Sequence, residues 1–229
     1  MLEPEKTERR GAVDALVVAV LAGLAARALH RLLPCNGPRQ RIDPRKGHAM
    51  TTTTTTDDSV QVPKVGRYAI DPRGSTIAFT SRHLFGLAPV RGTMAIRHGL
   101  VDIADPITDS SVHVEIDTTS IHTGSRHRDG DVRSARFLDA ARYPAMRFTS
   151  QRLDRSDGRW TLTGTLVVRD VARSVSLAIE RSTVQPGTAS SFVVCASTRI
   201  DRTDFGLTAS RGLAGRHLEV SLRILGVRR

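Results

Sequence analysis

Arg159-Trp160-Thr161-Leu162-Thr163-Gly164-Thr165-Leu166-Val167-Val168-Arg169 puts Trp160, Leu162, Leu166 and Val168 on one parity and Thr161, Thr163, Thr165 and Val167 on the other. Successive side chains of a β-strand point to opposite faces, so a period of two predicts a half-buried strand. Ser156-Asp157-Gly158 stands directly before this run. Before that, Ala145 to Arg152 repeats the alternation, with Met146 and Phe148 opposed to Arg147 and Thr149. Two alternating runs joined through Asp-Gly read as a β-hairpin.

The same pattern extends in both directions. Upstream, Ile77 and Phe79 alternate with Thr76 and Thr80, Met94 and Ile96 with Arg91 and Arg97, and Val112, Val114 and Ile116 with His113, Glu115 and Asp117. Downstream come Val175, Leu177 and Ile179, then Phe192 to Ile200, then Leu218, Val220, Leu222 and Ile224. Asp71-Pro72-Arg73-Gly74, Ala104-Asp105-Pro106 and Gln185-Pro186-Gly187 supply turn chemistry between runs. Residues 128–138 break the alternation. Val132, Ala135 and Phe137 or Leu138 recur near helical spacing, and Tyr143-Pro144 closes the segment, which predicts a short helix begun by Ser125 or Asp129. The expectation is an all-β chain: a single eight-stranded antiparallel β-barrel over residues 65–229 with one short helix near 128–138. A sandwich is the alternative that pattern alone leaves open.

Residues 1–64 have a different texture. Ala15 to Ala26 is apolar but shorter than the roughly 20 residues a spanning helix needs, so no stable membrane span is expected. It is closer to the apolar core of a secretory signal. Thr51 to Thr56 follow Met50 as low-complexity linker. Two readings stand level: a signal or anchor segment in residues 1–49, or translation starting at Met50. A Met50 start implies a cytoplasmic protein, and a genuine signal an exported or membrane-anchored one.

The 229 residues carry a net charge of +11, which raises nucleic acid as a partner. Lys6, Lys46 and Lys64 are the only lysines. The arginines are mostly single residues alternating with apolar ones, as on the outer face of strands, so specific nucleic-acid binding is not expected. Cys35 and Cys195 lie far apart without metal-ligand spacing, and Cys195 within Phe192-Val193-Val194-Cys195-Ala196 reads as a buried core thiol. The candidates for chemistry are His83, His122, His127, Asp129 and Asp204, and none falls in a recognised catalytic pattern. His122, His127, Asp129 and Asp131 form a loose cluster whose spacing is unspecific for a metal. Arg128-Asp129 reads structurally, with Asp129 accepting free N–H groups at the helix start and Arg128 bracing Asp117 or Asp139.

Motif order adds a resemblance. Tyr68-Ala69-Ile70-Asp71-Pro72, Ser75 to Phe79, Arg82-His83-Leu84, Val90 to Met94, Ser120-Ile121-His122-Thr123-Gly124, Arg128-Asp129, Leu138-Asp139, Tyr143-Pro144, Gly164 to Arg169 and Asp201 to Gly206 follow one another at characteristic distances. From Tyr68 to about Val227 the chain resembles the YceI-like domain family, which implies a lipocalin-like barrel that binds polyisoprenoid chains and quinones. Gly130, Asp131 and Val132, Phe137-Leu138 and Ser174 depart from the family pattern, in the helix and one turn.

The expected function is a carrier or binding module, not an enzyme, for an isoprenoid lipid or quinone held inside the barrel. No cofactor and no metal are expected, and a homodimer is left open. The alternative is a small stress-related hydrolase using His83 at the barrel mouth. The parities assign Phe79, His83, Met94, Ile96, Val114, Ile116, Phe148, Leu162, Gly164, Leu166 and Val168 to the ligand, with Gly164 as a gap in the wall. If the basic surface is solvation only, duplex DNA will bind weakly and be released by moderate salt. Nanomolar binding at physiological ionic strength in a filter or anisotropy titration would reverse that ranking.

Overall fold

The computed structural model describes residues 60–83, 88–185, 191–210 and 214–229. The readings made for residues 1–59, for Pro186-Gly187 and for the side chain of His83 lie outside the described residues. Nine strands form one antiparallel sheet: β1 (Gly66–Ile70), β2 (Thr76–His83), β3 (Ala88–Ile103), β4 (Ser111–His122), β5 (Ala145–Ser156), β6 (Arg159–Val168), β7 (Val171–Val184), β8 (Ser191–Asp201) and β9 (His217–Arg228). Strands β2 to β9 pair in sequence, and β2 also pairs with β9, so the sheet closes.

The count of nine reconciles with an eight-stranded barrel through β1 and β2. Both pair with β3 on one side and β9 on the other, so they are two pieces of one stave. Asp71-Pro72-Arg73-Gly74 interrupts that stave. The interruption stays bonded to the wall: Asp71 N–H donates to the Leu225 carbonyl (2.9 Å) and Leu225 N–H to Ser75 Oγ (3.0 Å). Closure leaves the sheet no long free edge.

Irregularities in register bend the long strands where the barrel curves. They fall between Thr93 and Ala95, Ile96 and His98, Ser150 and Arg152, and Ile179 and Arg181. Such bulges increase local twist and exchange the faces of the residues beyond them. Two serines take N–H groups near these irregularities: Ser150 Oγ accepts from Val112 N (2.7 Å) and Ser120 Oγ from Ala95 N (2.8 Å).

The one α-helix among the described residues, α1 (Arg126–Arg133), is shorter and earlier than residues 128–138. Ser125 caps it by accepting from Arg128 N. Past Ser134 the chain turns instead: Leu138 N–H reaches back to the Val132 carbonyl and Asp139 takes a left-handed φ of 47°. The apolar spacing of Val132 and Leu138 reflects two turns packed on the barrel rather than one helix. Thr118 then anchors the return. Its buried hydroxyl donates to the Tyr143 carbonyl (2.7 Å), and its N–H to that of Pro144. Cys195 is buried, as expected.

Gly164 is not a gap. A Cβ there would lie 2.5 Å from the Thr149 carbonyl oxygen and 2.6 Å from the Phe148 ring, so the ring already covers the position. Gly164→Ala is therefore expected to destabilise the domain by about 1–3 kcal/mol through overpacking, read as a lower urea midpoint. An unchanged midpoint would show that this contact relaxes freely.

Candidate ligand cavity

The inward faces of the staves enclose a cavity of about 630 Å³. Every stave contributes, through residues such as Ile77, Met94, Val114, Phe148, Leu162, Leu177, Val194 and Leu222. These are mid-sized side chains, and eight strands of them leave the middle of the barrel unfilled. Of the residues assigned to the ligand from parity, Phe79, Met94, Ile96, Val114, Ile116, Phe148, Leu162, Leu166 and Val168 line this cavity, and Gly164 does not. His83 ends β2 opposite Ala88, and its side chain lies outside the described residues.

The two ends of the cavity differ chemically. At one end Val60, Gln61, Val62 and Pro63 line it. This segment is fastened to β7 beyond the reach of β6: Gln61 N–H donates to the Ser182 carbonyl (3.0 Å), and the buried Ser182 hydroxyl to the Gln61 carbonyl (2.6 Å). The chain then enters β1, with Tyr68 donating its hydroxyl to the Lys64 carbonyl (2.7 Å). The sequence pattern placed these residues in a linker, because one bridged pair has no periodicity to read.

The other end is built by α1 and by the connection from β8 to β9. Asp129, buried in α1, accepts the N–H (2.8 Å) and hydroxyl (2.6 Å) of Thr123. Arg128 donates through Nε to that same hydroxyl (2.8 Å) and through Nη2 to the Thr123 carbonyl (3.3 Å). The role expected for Arg128 at Asp117 or Asp139 is thus replaced by a clamp on Thr123, while Asp117 goes to Arg97 (3.3 Å) and Thr119. Asp129 likewise holds Thr123, three residues before the helix, rather than the helix N–H groups. His122 approaches Asp129 (3.5 Å) and His127 approaches Asp131 (3.5 Å) as two separate pairs. No group of three metal-ligating side chains occurs among the described residues.

Arg202, which sequence reading did not single out, also lines the cavity and is buried. Its guanidinium donates to the carbonyls of Leu207, Ala214 (3.1 Å) and Gly215 (2.8 Å) and sits 5.7 Å above the Phe137 ring. Asp201 pins the turn that carries it, accepting from Thr203 N (2.9 Å) and Thr203 Oγ1 (2.6 Å) and pairing with Arg216. The available signal was a single arginine, Arg202, set among Asp201, Thr203 and Asp204 directly after an apolar strand.

A family model for the YceI-like domain matches residues 68–225. The chain belongs to the YceI-like family. It is 30% identical over 168 residues to Protein YceI of Salmonella arizonae, covering 70% of this chain and 86% of that protein. It is also 30% identical over 171 residues to a UPF0312 protein of Shewanella denitrificans, covering 70% and 87%. Among solved structures, Burkholderia cenocepacia BcnA superposes with a TM-score of 0.59 at 16% identity, over 68% of this chain and 98% of that one. A polyisoprenoid binding domain from Saccharophagus degradans superposes with a TM-score of 0.55 at 17% identity, over 71% and 98%. The family match thus begins in β1 and ends in β9 of this YceI-like chain.

Asp201 makes the charged end sensitive to acid. Burial opposes its ionisation, but the Thr203 hydroxyl and N–H and the Arg216 guanidinium outweigh that and lower its pKa to about 2. An unfolded aspartate titrates near ~3.9. The stabilisation is therefore complete above about pH 4 and is lost as pH falls toward 2. Asp201→Asn is expected to lower stability at neutral pH and to flatten the acid limb below about pH 4. Urea midpoints measured across that range check this, and an acid limb identical to wild type would contradict it.

Proposed function

We propose that this YceI-like barrel is a binding module that carries an amphiphile with a long apolar tail, an isoprenoid lipid or a quinone, inside its cavity. The observation that supports this most is the interior itself: about 630 Å³ walled almost wholly by aliphatic and aromatic side chains. Ligand sites are mostly apolar clefts of ~300–1,000 Å³ with a few polar groups that fix orientation. Each methylene moved from water to such a wall gains about 0.8 kcal/mol. The Saccharophagus degradans neighbour, described as a polyisoprenoid binding domain, supports the same ligand class.

Catalysis is not part of this proposal. The side chain of His83, the histidine named for the hydrolase alternative, lies outside the described residues, and the other candidate histidines, His122 and His127, are mostly exposed and each face a single carboxylate. Neither forms the nucleophile–base–orienter chain that acyl transfer requires.

Organic extraction of protein purified from its native host, followed by mass spectrometry, is expected to release an apolar molecule in near-stoichiometric amount. A complementary test fills the cavity. Ala196 is small, buried and lines it. Ala196→Phe is expected to abolish uptake of N-phenyl-1-naphthylamine while the β-type circular dichroism persists. Val194→Phe, on the same strand, serves if Ala196→Phe fails to fold. A folded variant that takes up the probe with unchanged affinity would remove the cavity from the proposal.

A further inference from the structure

Strand β7 outruns its neighbour. Its pairing with β6 ends at Ile179 opposite Trp160, and β7 continues to Val184. The register change between Ile179 and Arg181 turns Ser182 toward the lumen, so a hydroxyl lines the cavity on a buried residue. Backbone and hydroxyl groups at an apolar surface need partners. Residues 60–63 supply them, and Val60 bridges Ser182 in parallel, whereas β7 is antiparallel to both of its strand neighbours.

The fastening is narrow. Three hydrogen bonds join this segment to β7, and all pass through Gln61. Its N–H donates to the Ser182 carbonyl (3.0 Å), its carbonyl accepts from the Ser182 hydroxyl (2.6 Å), and its Oε1 accepts from Val184 N–H (2.8 Å). By contrast, β6 and β7 stay paired over nine residue pairs. The segment is also thin. Val62 lines the cavity and is 53% exposed, so one side chain borders both lumen and solvent.

One end of the segment is anchored. Buried Tyr68 donates to the Lys64 carbonyl (2.7 Å), and Arg228 to the Val65 carbonyl (3.1 Å). Pro63, between anchor and fastening, has no N–H to pair. Lifting the segment frees Gln61, Ser182 and Val184 at the end of the barrel, where water replaces their bonds. Parting two staves would break a whole ladder. Local openings follow the route with the fewest buried contacts.

We propose that residues 60–63 form a strap that gates the cavity. Release of Gln61 from Ser182 and Val184 swings the strap about Lys64 and opens the passage by which the apolar ligand enters and leaves. This rests on the reading of the barrel as an apolar-tail carrier.

Two measurements on the full chain test the gate. In the unliganded protein, hydrogen exchange followed by NMR is expected to be about tenfold faster at the Gln61 and Val184 amides than at amides of β8. Exchange as slow as that of β8 overturns the gate. Stopped-flow fluorescence of N-phenyl-1-naphthylamine then reads passage. Gln61→Ala removes the bond to Val184, and Ser182→Ala the bond to the Gln61 carbonyl. Each is expected to raise the association and dissociation rates together, by about fivefold for one lost hydrogen bond. Uptake at wild-type rates in both folded variants overturns the gate and leaves the carrier reading standing. Faster dissociation with unchanged association also overturns it, because the strap is then a fixed wall of the site. A wild-type chain that takes up no probe overturns the carrier reading. Should the variants fail to fold, amide exchange in the wild-type chain still decides.

Discussion

Three phenylalanine rings each lie over a glycine of the neighbouring strand, and the open interior depends on this. A Cβ placed on Gly92 would fall 2.4 Å from Phe79 Cζ, one on Gly164 2.6 Å from Phe148 Cζ, and one on Gly226 2.4 Å from Phe192 Cζ. Phe79 and Phe192 sit directly opposite their glycines, and Phe148 reaches its own diagonally. Adjacent strands are only about 4.8 Å apart, so a ring whose far end touches the next strand runs along the wall and not toward the barrel axis. Three large inward side chains are thereby folded into the wall, and mid-sized aliphatic residues line much of the rest of the lumen. Without the glycines the same rings would have to turn inward and fill the space that defines the site.

Closure supplies the second condition. A cavity this apolar cannot satisfy unpaired backbone groups, so each stave must be bonded on both sides. The first stave does so in two pieces, β1 and β2, with its interruption returned to β9 through the Asp71 N–H and the Ser75 hydroxyl. Where β7 runs past the end of β6, Gln61 takes its place, offering its backbone to Ser182 and its side-chain oxygen to Val184 N (2.8 Å). Polar bonding is thus held within the wall and at the ends, and the lumen is left to apolar contact.

Parity made much of this legible. Trp160 to Val168 alternates without a bulge, and Trp160, Leu162, Leu166 and Val168 all line the cavity. Legibility stops where register changes. Beyond the irregularities in β3, β5 and β7 the inward set switches parity, from Met94 and Ile96 to Val101 and Ile103, from Phe148 to Leu153, and from Ile179 to Ser182. A bulge has no composition that announces it. Gly164 was read as missing bulk because a sequence shows the absent side chain but not the neighbour that occupies its place. Arg128 was given a carboxylate partner because charge suggests charge, whereas the structure satisfies it with the hydroxyl and carbonyl of Thr123.

The size of the cavity also constrains the state in which the fold is stable. Residual apolar cavities cost about 24 cal/mol per Å³ in protein cores. A lumen of about 630 Å³ leaves its apolar lining short of contacts in the same sense. Water is a poor remedy, because a buried water needs two to four polar partners and the middle of this lumen offers almost none. Collapse is resisted by the hydrogen-bonded circumference, which fixes the number of staves and so the radius. An apolar chain along the barrel axis, as proposed above, would restore those contacts.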